Sequence, residues 1–187
     1  MTRGFARGAA VGALVLTGFG GFWALESVAH LPELPSWKYG VAGLPILVLL
    51  CFAVFRLIHA GGLAEASDAD QAARAGRKMG MRFGIIFGIE GALIGAAAAG
   101  LAGADRPLLI PVAIALIVGL HFFPLARVFD LRVYAFTGAF CTIAAVASLL
   151  VADSIARLVA LGFAMAAILW ISAAVVLMRH TGGTRAV

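Results

Sequence analysis

Two ionisable side chains interrupt apolar runs where few other groups could partner them. Glu90 lies in RFGIIFGIEGALIGAAAAG and His121 in IALIVGLHFFPLARVF. The runs are joined by GADRP at Gly103–Pro107, a cluster of turn-forming residues. If the chain reverses between Asp105 and Arg106, residues equidistant from that point lie at one depth, and Glu90 and His121 are equidistant from it. Glu90 is also about 12 Å along a helix from Arg82, well inside a hydrocarbon layer roughly 30 Å thick. An ionised carboxylate there costs several kcal/mol unless it is paired, hydrated or protonated. An acid and an imidazole at matched depth can relay a proton, hold a small cation or contact a polar solute. The same pair can also do no more than hold two helices together.

Pro124 follows His121 by three residues and has no backbone N–H. The carbonyl of Leu120 therefore loses its helical donor, and a loosened turn, or the end of the helix, is expected beside His121. Glu90, His121 and Pro124 form the candidate polar site inside the membrane. Secondary candidates are Glu26 and His30, which share a helical face at i and i+4, and Arg127. Glu33 would complete a metal set with Glu26 and His30 only if the helix ran on past Pro32, so the pair is expected to face headgroups and water. His59 and His121 fall in the same half of the membrane, as two haem ligands would. No HExxH, GxSxG, phosphate-binding glycine loop or zinc-spaced Cys/His set is present. No catalytic residue, metal or cofactor is assigned. Cys51 and Cys141 both lie in apolar runs and are read as packing residues.

These residues need elements to position them, and composition names the elements. Of 187 residues, 63% are hydrophobic and 12% charged, where a soluble domain carries about a quarter charged. With a mean hydropathy of +1.06, the chain is expected to be an all-α, polytopic integral membrane protein forming a single domain. The expected spans are 8–29, 41–58, 81–103, 107–123, 133–152 and 155–178. The first has a basic start and Ser27-Val28-Ala29 at its end, as a cleaved signal would. Its length, with Phe22 and Trp23 near that end, favours a retained helix. Residues 60–80 are the one sizeable polar segment, expected as a short helix on the membrane surface, capped by Ser67 or Asp68.

Six spans put both termini on one side of the membrane as three antiparallel hairpins. With the termini cytoplasmic, eleven Lys and Arg residues fall inside and only Lys38, Arg106 and Arg157 outside, accounting for all 14. That bias is what a cytoplasmic placement of both termini requires. The net charge of +5 is spread over the ends of the apolar runs, a pattern for lipid headgroups and topology, not nucleic acid. The expected location is the inner (plasma) membrane.

In the third span Gly84, Gly88, Gly91 and Gly95 form one stripe of small residues, which allows close helix approach in lipid. Glu90 points roughly 140° away from it. Neighbours on both faces would make this helix the centre of the bundle, and homo-oligomerisation is a further expectation.

The segment HFFPLARVF, within a six-span chain of this size, resembles small uncharacterised bacterial membrane proteins with a GLHF-x-PLA-type motif. The resemblance covers the third to fifth spans and implies no activity. The functional expectation is small-solute or proton-coupled transport through Glu90 and His121. Its alternatives are a structural or partner-binding role for the same pair and, behind both, a membrane-embedded enzyme or haem protein.

Overall fold

The structure, a computed structural model, describes residues 3–31, 35–60 and 69–179. Among the described residues it is all-helical, with six α-helices. These are α1 (Arg3–Ala29), α2 (Trp37–Ala60), α3 (Ala69–Gly103), α4 (Ile110–Phe129), α5 (Arg132–Ser148) and α6 (Ser154–Arg179). Five contain stretches long and apolar enough to cross a membrane: Ala10–Ala29, Trp37–Phe55, Gly76–Gly103, Pro107–Phe129 and Ser154–Met178. At 17 residues α5 is apolar but shorter.

Three boundaries depart from the sequence expectation. From Ala69 onward, the polar segment and the third span form one continuous helix of 35 residues, α3. Nothing between Ala69 and Met81 breaks helix strongly enough to separate a surface piece, since Gly76 and Gly80 each cost only about 1 kcal/mol. At about 1.5 Å per residue this helix is longer than a hydrocarbon layer is thick. The proposed caps Ser67 and Asp68 lie outside the described residues. The fourth span does not end near Phe123, because α4 runs through Pro124 to Phe129. One missing hydrogen bond does not end a helix whose surrounding residues still bury Phe122 and Leu125. The fifth span ends at Ser148, where Leu149, Leu150 and Val151 donate instead to carbonyls three residues back.

The helix ends have identifiable causes. Asp105 (φ 56°) and Asp130 (φ 50°) take the left-handed conformation that stops α3 and α4. The N–H of Arg106 reaches the carbonyl of Leu101 and that of Asp105 reaches Ala102, satisfying the exposed carbonyls of α3. One 3-10 turn, Pro107–Leu109, then leads into α4. Asp153 caps α6 by accepting from the N–H of Ala156 at 2.7 Å.

One apolar core runs through the molecule, with α6 as its hub. This helix packs most extensively on α1, then on α5, and also touches α2 and α4. Leu161, Met165, Ala166, Leu169 and Ala173 are its buried residues along that core. α4 lies between α3 and α5, and α3 packs chiefly on α4. The expected central position of α3 is therefore incorrect: it stands at the edge of the bundle.

Glycines make the close helix approaches, but not those of the α3 stripe. A methyl group at Gly162 would lie 2.9 Å from the Trp23 carbonyl, where α6 crosses α1. At Gly138 it would lie 2.7 Å from the Gly119 carbonyl, where α5 crosses α4. At Gly84, Gly88, Gly91 and Gly95 it would meet nothing within 4 Å. Among the described residues, the glycine face of α3 is open. Ile85, Ile89 and Leu93, on the same outer side, are exposed.

Candidate functional site

The face of α3 that does pack carries Phe83, Phe87, Glu90 and Ile94, at spacings of three and four residues. That is the periodicity of a helix seam, and it turns Glu90 toward α4. Residues buried on α4 include Ala115, Val118, Phe122 and Leu125, with His121 at the border toward α3. The turn between the helices is short enough to hold both seams in register. Glu90 Oε1 lies 3.1 Å from His121 Nδ1, with side-chain exposures of 8% and 10%.

The separation is that of an ion pair, but the approach is off the line a hydrogen bond needs. His121 Nδ1 is thus buried without a hydrogen bond among the described residues. An imidazole ring rotates readily about its terminal torsion, so a small turn of His121 would align the two groups. A carboxylate oxygen and an imidazole nitrogen at this separation could share or pass one proton.

Aromatic rings close the sides of the pair. The His121 ring meets Phe87 edge-on at 5.6 Å and lies tilted over Phe122 at 4.5 Å. Phe122 is 5.9 Å from Tyr134 on α5, and Phe129 is 5.9 Å from Tyr134 and 6.0 Å from Phe83. The Tyr134 hydroxyl lies where a side chain on Gly12 would have to be, so this aromatic chain reaches from α3 to α1. These rings surround the His121 side of the pair with apolar atoms, where a charge contact is stronger than in water. A sequence reading identifies Glu90 and His121 but misses Phe122 and Tyr134 as their surroundings. Phe122 adjoins His121 in the sequence, but nothing in the sequence placed Tyr134 beside it.

The secondary candidates are not brought to this pair. His30 Nδ1 stands 2.9 Å from the Glu26 carbonyl and 4.0 Å from its carboxylate, and the Glu26 side chain is half exposed. Glu33, the third member of that set, lies outside the described residues, as do the side chains of Arg56 and His59. Among the described residues no group of three His, Cys, Asp or Glu could hold a metal ion. Pro124 and Arg127 are exposed on α4. Cys51 is exposed and Cys141 fully buried, and neither forms a disulfide.

A second polar contact ties α5 to α6. Thr137 Oγ1 and Ser172 Oγ are 2.7 Å apart; one hydroxyl donates across the contact and the other donates to its own helix four residues back, at Val133 or Ile168. Such hydroxyl pairs join helices in lipid without burying a charge.

The architecture defines an all-helical protein with helices of membrane-spanning length and one buried acid–base contact between two of them. The chain belongs to DUF7010, a family of unknown function, whose pattern matches residues 74–179. The match runs from the polar start of α3 to the end of α6, so it includes Glu90 and His121 and leaves α1 and α2 outside. No curated protein and no solved structure matches the chain.

Proposed function

We propose that this chain is a multi-pass protein of the bacterial inner membrane in which Glu90 and His121 exchange a proton, coupled to the passage of a small solute or ion. The observation that carries the reading is the 3.1 Å contact between two nearly buried ionisable groups across the α3–α4 seam. Ionisable groups at such depth are expensive, and their usual justification is a proton or substrate path. The position of α3 adds to it: a long helix held mainly by one neighbour can shift when the charge at its seam changes. The membrane arrangement in this reading is six spans as three antiparallel hairpins with both termini cytoplasmic. Placement of eleven of the 14 basic residues on that side supports it. α5 then crosses with help from Leu149–Val151, and homo-oligomers form through the open face of α3.

The test is proton movement in proteoliposomes loaded with a pH-sensitive dye. Wild-type vesicles are expected to dissipate an imposed pH gradient faster than empty ones, and Glu90→Gln vesicles no faster than empty ones. Equal rates for wild type and Glu90→Gln would remove the glutamate from the path.

A second reading is a static clasp, in which the pair only fixes helix packing. Enclosure by Phe87 and Phe122 favours it, as does a cavity that lies elsewhere, between α1, α2 and α6. It expects no flux from wild type and a lower melting temperature for Glu90→Gln.

A further inference from the structure

The cavity between α1, α2 and α6 has a volume of about 300 Å³. Its walls are apolar: Val28, Pro45, Phe163 and the rings of Trp37 and Trp170 line it. The exception is Lys38, which also lines it and is only 7% exposed. Lys38 Nζ donates to the Leu31 carbonyl and stands 5.2 Å from the centre of the Tyr39 ring. Neither partner carries a negative charge, and among the described residues no carboxylate pairs with this ammonium. A buried cation held by one carbonyl and a ring face retains donors for an anion.

Depth gives the rest of the ligand. Trp37 and Tyr39, on either side of Lys38, are exposed, and such aromatics mark the level of the lipid headgroups. Lys38 therefore stands at headgroup depth, with the apolar cavity beside it. Its volume is at the lower end of ligand pockets, which run from about 300 to 1,000 Å³. That suits one acyl chain and not a whole two-chain lipid. We infer that this cavity holds one acyl chain of an anionic phospholipid from the surrounding membrane, with the phosphate on Lys38. The second chain stays in the bilayer. The site is independent of the Glu90–His121 contact and of any flux through it.

Indole quenching by brominated acyl chains tests this, because Trp170 lines the cavity, whereas Trp23 is buried and does not line it. A Trp37→Phe background removes the indole most exposed to bulk lipid while keeping an aromatic ring on the cavity wall. The protein is placed in phosphatidylcholine nanodiscs doped with either brominated phosphatidylglycerol or brominated phosphatidylcholine. Half-maximal quenching is expected at about a fivefold lower mole fraction of the anionic lipid, the ratio one basic residue near a membrane surface gives. Lys38→Gln should abolish that preference and Lys38→Arg should keep it, with thermal melts confirming that both are folded. Equal quenching by the two lipids in the Lys38 protein overturns the proposal whatever the variants do. A preference that survives Lys38→Gln overturns the role of Lys38.

Discussion

Glu90 and His121 are best weighed by what each does without the other. With both present, two polar groups meet in a site walled by Phe87 and Phe122. Removing one partner leaves a polar group in apolar surroundings, which is costlier than removing both. His121→Phe should keep much of the ring packing while stranding Glu90, at a cost of about 1–3 kcal/mol. The double replacement Glu90→Leu/His121→Phe should cost less than the sum of the singles, with a coupling of at least about 1 kcal/mol. Reversible unfolding in detergent checks this cycle, and additive effects would mean that the contact contributes nothing to stability. The contact was legible in the sequence because a tight turn links depth to residue number, so two odd residues equidistant from it must be neighbours along the membrane normal. What encloses them was not legible. Tyr134 belongs to another helix, and its place beside Phe122 and Phe129 is set by how α5 leans on α4.

Helix existence was written plainly in the apolar runs, and the boundaries that moved did so for local reasons. α3 absorbed the polar segment because alanine and charged residues propagate a helix once the adjoining span has nucleated it. Helix contacts were harder to read. Glycine spacing marks where a helix can approach another closely, not whether another helix is there. Gly84, Gly88, Gly91 and Gly95 have the conspicuous pattern but no close neighbour among the described residues, whereas Gly119, Gly138 and Gly162, which show little pattern, lie at the tight crossings. Alanine substitution separates the two classes. Gly162→Ala drives a methyl group against the Trp23 carbonyl and the Ser27 side chain, and overpacking of this kind costs about 1–3 kcal/mol. Gly88→Ala adds a methyl to open space within a helix and should be neutral or stabilising by up to about 1 kcal/mol. Thermal melts of the two variants in one detergent make the comparison. Destabilisation by Gly88→Ala would instead point to an intermolecular contact on that face, which dilution could reveal.

At the level of the whole molecule, the distribution of charge and the packing of helices describe the same object from opposite directions. The outward apolar side chains, such as Ile89 on α3, Phe140 on α5 and Ile171 on α6, need a hydrocarbon solvent, and the bundle's core alone does not cover them. In the proposed topology the basic residues set which way the bundle faces. α4 provides a clean test, because the span Pro107–Phe129 contains an 18-residue stretch of mean hydropathy 2.4, follows exposed Arg106 and carries exposed Arg127 in its last turn. At about 1.5 Å per residue the 20 residues of α4 reach across a bilayer. Single cysteines at Arg77, Arg106 and Arg127 in a Cys51→Ala background report each end, since Cys141 is fully buried and should stay unreactive in the folded protein. In right-side-out cells an impermeant maleimide is expected to label Arg106→Cys alone, and lysis should expose Arg77→Cys and Arg127→Cys as well. Labelling of Arg77→Cys and Arg127→Cys from outside, with Arg106→Cys protected, would invert the topology. External labelling at both Arg106 and Arg127 would show that α4 does not cross, which would move His121, and with it Glu90, out of the membrane interior on which the proton-exchange reading depends.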